Sequence, residues 1–153
     1  MGDYLYSVGG FGGPLLERVE YAKIEEAGSL AKWPMASESM TLPRYVNSVK
    51  TAGGRTFVIG GHDQNKGVGI ADVEWARQQQ DGDIRAWKKT QALNTGRYGL
   101  ASSKNGKTIY ALGGLTGLEY LRSIEKTRVH SEGGLEPWQE TTAMSVPRAT
   151  FSA

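Results

Sequence analysis

The chain contains no cysteine. Disulfides, thiolate catalysis and cysteine metal sites are thereby excluded, while the compartment stays open. Histidine is scarce: His62 stands beside Asp63 and the other is His130, so a metal site has too few ligands close together. No apolar run approaches the roughly 18–20 residues of a membrane span. MGDYLYSVGG also lacks the basic stretch of a signal peptide, so no compartment is assigned. An excess of one charge is missing too, since 18 basic and 16 acidic residues leave a formal +2. Such a balance argues against nucleic acid or a membrane surface as partner. Helical periodicity is nowhere sustained; its best candidate, residues 72–80, matches the position of two segments that read as strands. No Ser/His/Asp grouping stands out at a plausible spacing.

What is abundant is glycine, 21 residues in 153, about twice the usual share of roughly 7%. Many glycines in one domain-sized chain, with 39% hydrophobic residues for a core, imply many turns and many short strands. Residues 96–114 give the clearest case: Asn105-Gly106 lies between two β-prone runs and a double glycine closes the segment. Asn-Gly in that setting predicts a hairpin with a type I′ turn. The segment recurs. Double glycines fall at Gly9-Gly10, Gly60-Gly61 and Gly113-Gly114. Tryptophans follow at Trp33, Trp87 and Trp138, arginines at Arg44, Arg97 and Arg148, and Val/Ile-Glu pairs at Val19-Glu20, Val73-Glu74 and Ile124-Glu125. Markers in one order at a period of about 51–54 residues define a three-fold repeat. In the middle copy, strands are predicted at 45–51, 56–61, 70–77 and 84–90, with Gly53-Gly54 as the first turn.

These residues resemble the kelch repeat: hydrophobic-x-hydrophobic-Gly-Gly, then Val-Glu-Tyr-Ala at 19–22, Gly-x-Leu-x-x-Trp, and Pro-Arg-Tyr. The likeness is to the longer-period kelch repeats of bacterial proteins and covers essentially the whole chain. Trp75 and Lys126 replace the third-strand tyrosine, and Gly96 replaces the proline before the arginine. The resemblance implies an all-β chain of three four-stranded antiparallel blades, over residues 1–43, 44–96 and 97–147, with a closing strand at 148–153. Three blades cannot close a ring, because propellers typically need 4–8. Two chains supply six. The expectation is therefore half of a six-bladed β-propeller, completed by homodimerisation with strand exchange. Its closure pairs Tyr4, Tyr6 and Val8 of the opening strand with Ala149 and Phe151 of the closing one.

No position reads as catalytic, and no cofactor is implied. The repeated tryptophans read as packing between blades. The double glycines end strands without opening helices, so they are not phosphate loops. Glu20, Glu74 and Glu125 read as structural, since equivalent positions in separate blades lie too far apart for paired acid/base work. By resemblance, the loops after the double glycines and the entries to the innermost strands form a ligand-binding face at the central channel. That places Phe11, His62, Asp63, Gln64, Asn65 and Thr116 there, with Arg44, Tyr45, Arg97, Tyr98 and Arg148. Arginine and tyrosine at a channel mouth suit a carboxylate, a peptide or a small carbohydrate. The arginines also read as structural ion-pair members, because they recur with the repeat. The sequence thus reads as a non-enzymatic binding module that partners itself. A scaffold without a ligand, engineered or excised, and a cofactor-free sugar isomerase resembling the kelch-type sialic acid mutarotases are the alternatives.

Overall fold

A computed structural model describes residues 3–63 and 67–153. The chain is all-β, with one 3-10 turn at Glu26–Gly28. Its strands are β1 (Tyr4–Val8), β2 (Val19–Lys23), β3 (Ser48–Ala52), β4 (Arg55–Ile59), β5 (Val73–Gln78), β6 (Ile84–Lys89), β7 (Ala101–Asn105), β8 (Thr108–Leu112), β9 (Ile124–Arg128) and β10 (Gln139–Thr141). They form an antiparallel pair, β1-β2, and two four-stranded antiparallel meanders, β3-β4-β5-β6 and β7-β8-β9-β10. Both meanders have the strand order expected of the repeat.

The first unit departs from expectation: strand exchange leaves it three strands of its own, and among the described residues two form. Among the described residues no strand pairs with the second edge of β1. On the other side, the segment after Leu30 follows β2 only in separate contacts. Tyr21 N–H donates to the Pro34 carbonyl at 3.2 Å and Ala36 N–H to the Val19 carbonyl at 2.8 Å. Pro34 has no amide hydrogen to give, which stops a continuous ladder there.

Turn chemistry sets the hairpins, with one correction. At Gly53-Gly54 both glycines have positive φ, 60° and 71°, as a type I′ turn requires. In the later hairpin Asn105 pairs with Thr108, so the turn residues are Gly106 and Lys107, one position beyond the expected Asn-Gly. Only Gly106 has positive φ, 56°, the pattern of a type II′ turn with glycine first. The first strand of each meander also starts later than expected, at Ser48 and Ala101. The cause is a recurring left-handed residue two places after each arginine: Val46 at φ 46°, Gly99 at 59° and Thr150 at 56°. These three are chained, Gly99 N–H donating to the Val46 carbonyl (2.8 Å) and Thr150 N–H to the Gly99 carbonyl (2.6 Å).

Alternation along the strands gives each sheet two faces, and the units stack through them. Val19, Met40, Val58, Ala76, Ile84 and Trp87 form one core between the first and second units, with Tyr6 and Val8 against it. A second core between the second and third units gathers Phe57, Ile59, Trp75, Ile109, Leu135 and Trp138. Each fully buried large apolar side chain contributes about 1.5–3 kcal/mol relative to exposure. Strands β3 and β7 lie side by side, with Ser48 Oγ 2.6 Å from Ser102 Oγ.

A polar tie reinforces the first joint. Asp83 is buried and accepts from Ser37 N–H (3.0 Å), Ser37 Oγ–H (2.6 Å), Ile84 N–H (2.8 Å) and Arg85 Nε (2.7 Å). Burial alone would raise its pKa, but these donors overcome that and hold it at about 2, against 3.8 ordinarily. A depressed folded-state pKa stabilises the fold above the unfolded value, and that stabilisation is lost as pH falls through the folded one. The expected result is a loss of about 2 kcal/mol between pH 5 and pH 2 that Asp83→Asn abolishes. Denaturant melts at a series of pH values measure it, and an Asp83→Asn variant with the full acid sensitivity of the parent would contradict it.

Candidate functional site

Two of the named arginines turn out to be interior. Arg44 and Arg97 have no exposed surface at all. Arg44 donates to the carbonyls of Gly60 (3.0 Å) and Asp72 (2.9 Å) and pairs with Glu74 at 2.6 Å. Arg97 repeats this with the Gly113 (2.9 Å) and Ser123 (3.2 Å) carbonyls and Glu125 at 2.6 Å. Each glutamate also takes loop amides: Thr41 N–H on Glu74, Asn94 and Thr95 N–H on Glu125. Burial pulls both guanidinium pKa values below the ordinary one, opposed by the glutamates, and both groups stay charged. All the chemistry of these two side chains is directed inward, so they stitch loop to strand and offer nothing to a ligand.

The double glycines make this packing possible. A Cβ at Gly9, Gly60 or Gly113 would collide with the carbonyl oxygen of Arg44, Arg97 or Arg148 respectively, and all three glycines have φ near +60°. In each case the second glycine of the pair donates its N–H to that same carbonyl, at 2.9, 2.9 and 2.7 Å.

The aromatic members of the named set do come together. Tyr45 and His62 exchange backbone bonds, Tyr45 N–H to His62 O at 3.1 Å and the reverse at 2.9 Å. Tyr98 does the same with Leu115, at 3.0 and 2.8 Å. The His62 ring is held edge-on between two tyrosines, 5.4 Å from Tyr45 and 4.9 Å from Tyr98. Phe11, 57% exposed, extends the row, its ring 6.1 Å from Tyr45. His62 is buried, whereas Tyr45 and Tyr98 are half-buried and keep part of their surface open. The row therefore offers an aromatic strip with phenol groups, suited to stacking a planar or apolar group and hydrogen-bonding its polar edge.

The remaining named residues divide. Asp63 is partly buried beside His62. The Thr116 hydroxyl is engaged within its own turn, accepting from Leu118 and Glu119 N–H at 3.2 and 3.1 Å. Gln64 and Asn65 lie outside the described residues. Arg148 is exposed. Of the residues named for closure, Tyr4 and Tyr6 turn their rings onto the chain's own second sheet. Gln78 donates to Tyr6 Oη at 2.5 Å, Tyr6 donates to the Gly82 carbonyl at 2.7 Å, and Tyr4 lies against Gly82. Val8 packs in the first core, so what β1 offers outward is its backbone edge. Phe151 sits over Gly113, and Ala149 is partly buried.

One surface escaped the residue-by-residue reading. Leu5 (45%), Leu30 (44%), Trp33 (42%) and Met35 (53%) are all exposed on the first unit. The residues at the positions of Trp33 in the other two units, Trp87 and Trp138, are 9% and 4% exposed. Those at the position of Leu30, Ile84 and Leu135, are 0% and 3%. The signal was available in the repeat itself, since side chains that are core in two copies are apolar in the third as well. Compared with protein-family models and with curated proteins, the chain matches none.

Proposed function

We propose that the chain is half of a kelch-type six-bladed β-propeller. In this reading two copies close the ring, and the assembly is a non-enzymatic binding module whose face carries Phe11, Tyr45, His62 and Tyr98. One observation carries the assembly: the face of the first unit that is exposed at Leu5, Leu30 and Trp33 is the one buried at both internal joints. Contiguous apolar surface of this kind marks an interaction site. The opposite face of the third unit, with Tyr110, Leu112 and Ile124 half-buried, is the complementary one. Matching each third unit to the first unit of the other copy makes two equal joints and leaves no free face. The side-by-side placing of β3 and β7, and the left-handed chain at Val46, Gly99 and Thr150, fit inner strands ranged around an axis.

The binding role rests on the aromatic row. Aromatic side chains on backbone segments held by paired hydrogen bonds, as at Tyr45 and Tyr98, supply contact area at little conformational cost. A peptide array probed with the purified protein tests it. Peptides with an aromatic or carboxylate group are expected among the binders, and Tyr45→Ala and Tyr98→Ala should each weaken them at least tenfold with the β spectrum unchanged. An array with no binders, or undiminished binding by the double variant, would overturn the reading.

A further inference from the structure

Arg44, Arg97 and Arg148 are gripped by their backbones in the same manner. Their N–H groups donate to the carbonyls of Leu16, Ile70 and Leu121, at 3.3, 3.2 and 3.0 Å. Their own carbonyls accept from Gly10, Gly61 and Gly114. The preceding unit thus fixes each arginine, and the side chain is free to serve the following one. Arg44 and Arg97 do so through Glu74 and Glu125. The guanidinium of Arg148 is exposed, and among the described residues it has neither a hydrogen-bond nor an ion-pair partner.

The unmatched acidic member is Glu20. It stands opposite Ser7 on the neighbouring strand, as Glu74 stands opposite Val58 and Glu125 opposite Ala111. The arginine acceptors are there too. Gly9 N–H donates to the Arg18 carbonyl at 3.0 Å, as Gly60 does to Asp72 and Gly113 to Ser123, so the Gly9 and Arg18 carbonyls occupy the same positions. Among the described residues Glu20 has no cation against it. The half-buried Glu20 and the exposed Arg148 are the two halves of one repeated device.

We infer that Arg148 of one copy seats against Glu20 of a second copy and locks the joint, taking the Gly9 and Arg18 carbonyls as its further acceptors. Symmetry makes two such locks per pair. This inference rests on the two-copy reading above and specifies what makes the pairing selective. The two internal locks are fully desolvated, and breaking one side of such a pair is strongly unfavourable because the other charge is left buried alone. Ser145 and Val146, at the positions whose amides bind the glutamate in the internal joints, lie ready to complete the cradle.

Exchange of charge tests it. Sedimentation of Arg148→Glu and of Glu20→Arg, each alone, should show self-association at least a hundredfold weaker than the parent, since every joint then faces like charges. Mixed in equal amounts, the two variants should associate at least tenfold more tightly than either alone, because each mixed pair has one native and one reversed lock. Arg148→Gln and Glu20→Gln, which introduce no repulsion, should give intermediate loss. Native β spectra of all variants keep misfolding apart from weakened pairing. A parent that sediments as a single chain overturns the two-copy reading itself. A paired parent whose charge variants pair equally well, or whose mixture gains nothing, overturns the lock alone.

Discussion

Arg97→Ala is expected to cost about 3–5 kcal/mol of folding stability, measured by denaturant melts against the parent. The guanidinium is fully buried, pairs with Glu125 at 2.6 Å and holds the carbonyls of Gly113 and Ser123. Its removal strands a buried carboxylate as well as two acceptors, and the low-dielectric interior magnifies that loss. The expected sign reverses in part on the double substitution. Arg97→Met with Glu125→Leu removes both charges and keeps volume, so it should recover much of the loss, as apolar replacement of buried pairs often does. The loop amides of Asn94 and Thr95 lose their acceptor in that variant, which keeps the recovery incomplete. A single Arg97→Ala variant as stable as the parent would show that the pair contributes no more than an exposed one.

Trp138→Ala should cost a comparable 3–5 kcal/mol, whereas Trp33→Ala in the separated chain should cost less than about 1 kcal/mol. Trp138 is 4% exposed, packs in the second core and donates its indole N–H to the Gln91 carbonyl at 3.0 Å. Its truncation leaves a cavity between two units as well as an unpaired acceptor. Trp33 is 42% exposed, so its truncation leaves little to refill. The contrast turns on assembly. If two copies bury the first unit's outward face, Trp33→Ala should weaken pairing strongly at concentrations where folding is hardly altered. Melts and sedimentation on the same samples separate the two effects, and equal stability losses at both tryptophans would refute the difference in packing.

Much of the strand pattern was legible because the repeat imposes it three times. The double glycines, the tryptophans and the alternation in 19–22 mark strand ends and faces, and the two complete meanders follow that reading. The arginines and the glutamates were each singled out, but as separate sets. Their pairing joins each arginine to the glutamate of the following unit, 30 residues on for Arg44 and 28 for Arg97, and needed the fold to bring it to 2.6 Å. The late start of β3 and β7 was not legible. β-branched residues such as Val46 and Thr150 rarely adopt positive φ, and nothing local announces that they must here. The shift of the later hairpin to Gly106-Lys107 has a similar origin, because cross-strand packing of Ile109 and Ala111 sets the register and overrides the Asn-Gly preference. The aromatic row was named by resemblance; what the structure adds is the edge-on seating of His62 between Tyr45 and Tyr98. The Ser37–Asp83 tie gave no sign at all, since the two residues lie in loops of different units.

The decisive measurement is the mass of the purified chain in solution by light scattering, taken together with its β spectrum. Two copies closing one ring predict a species with the mass of two chains, holding its mass on dilution to low micromolar concentration. A folded species with the mass of one chain, Trp33 still exposed, would contradict it.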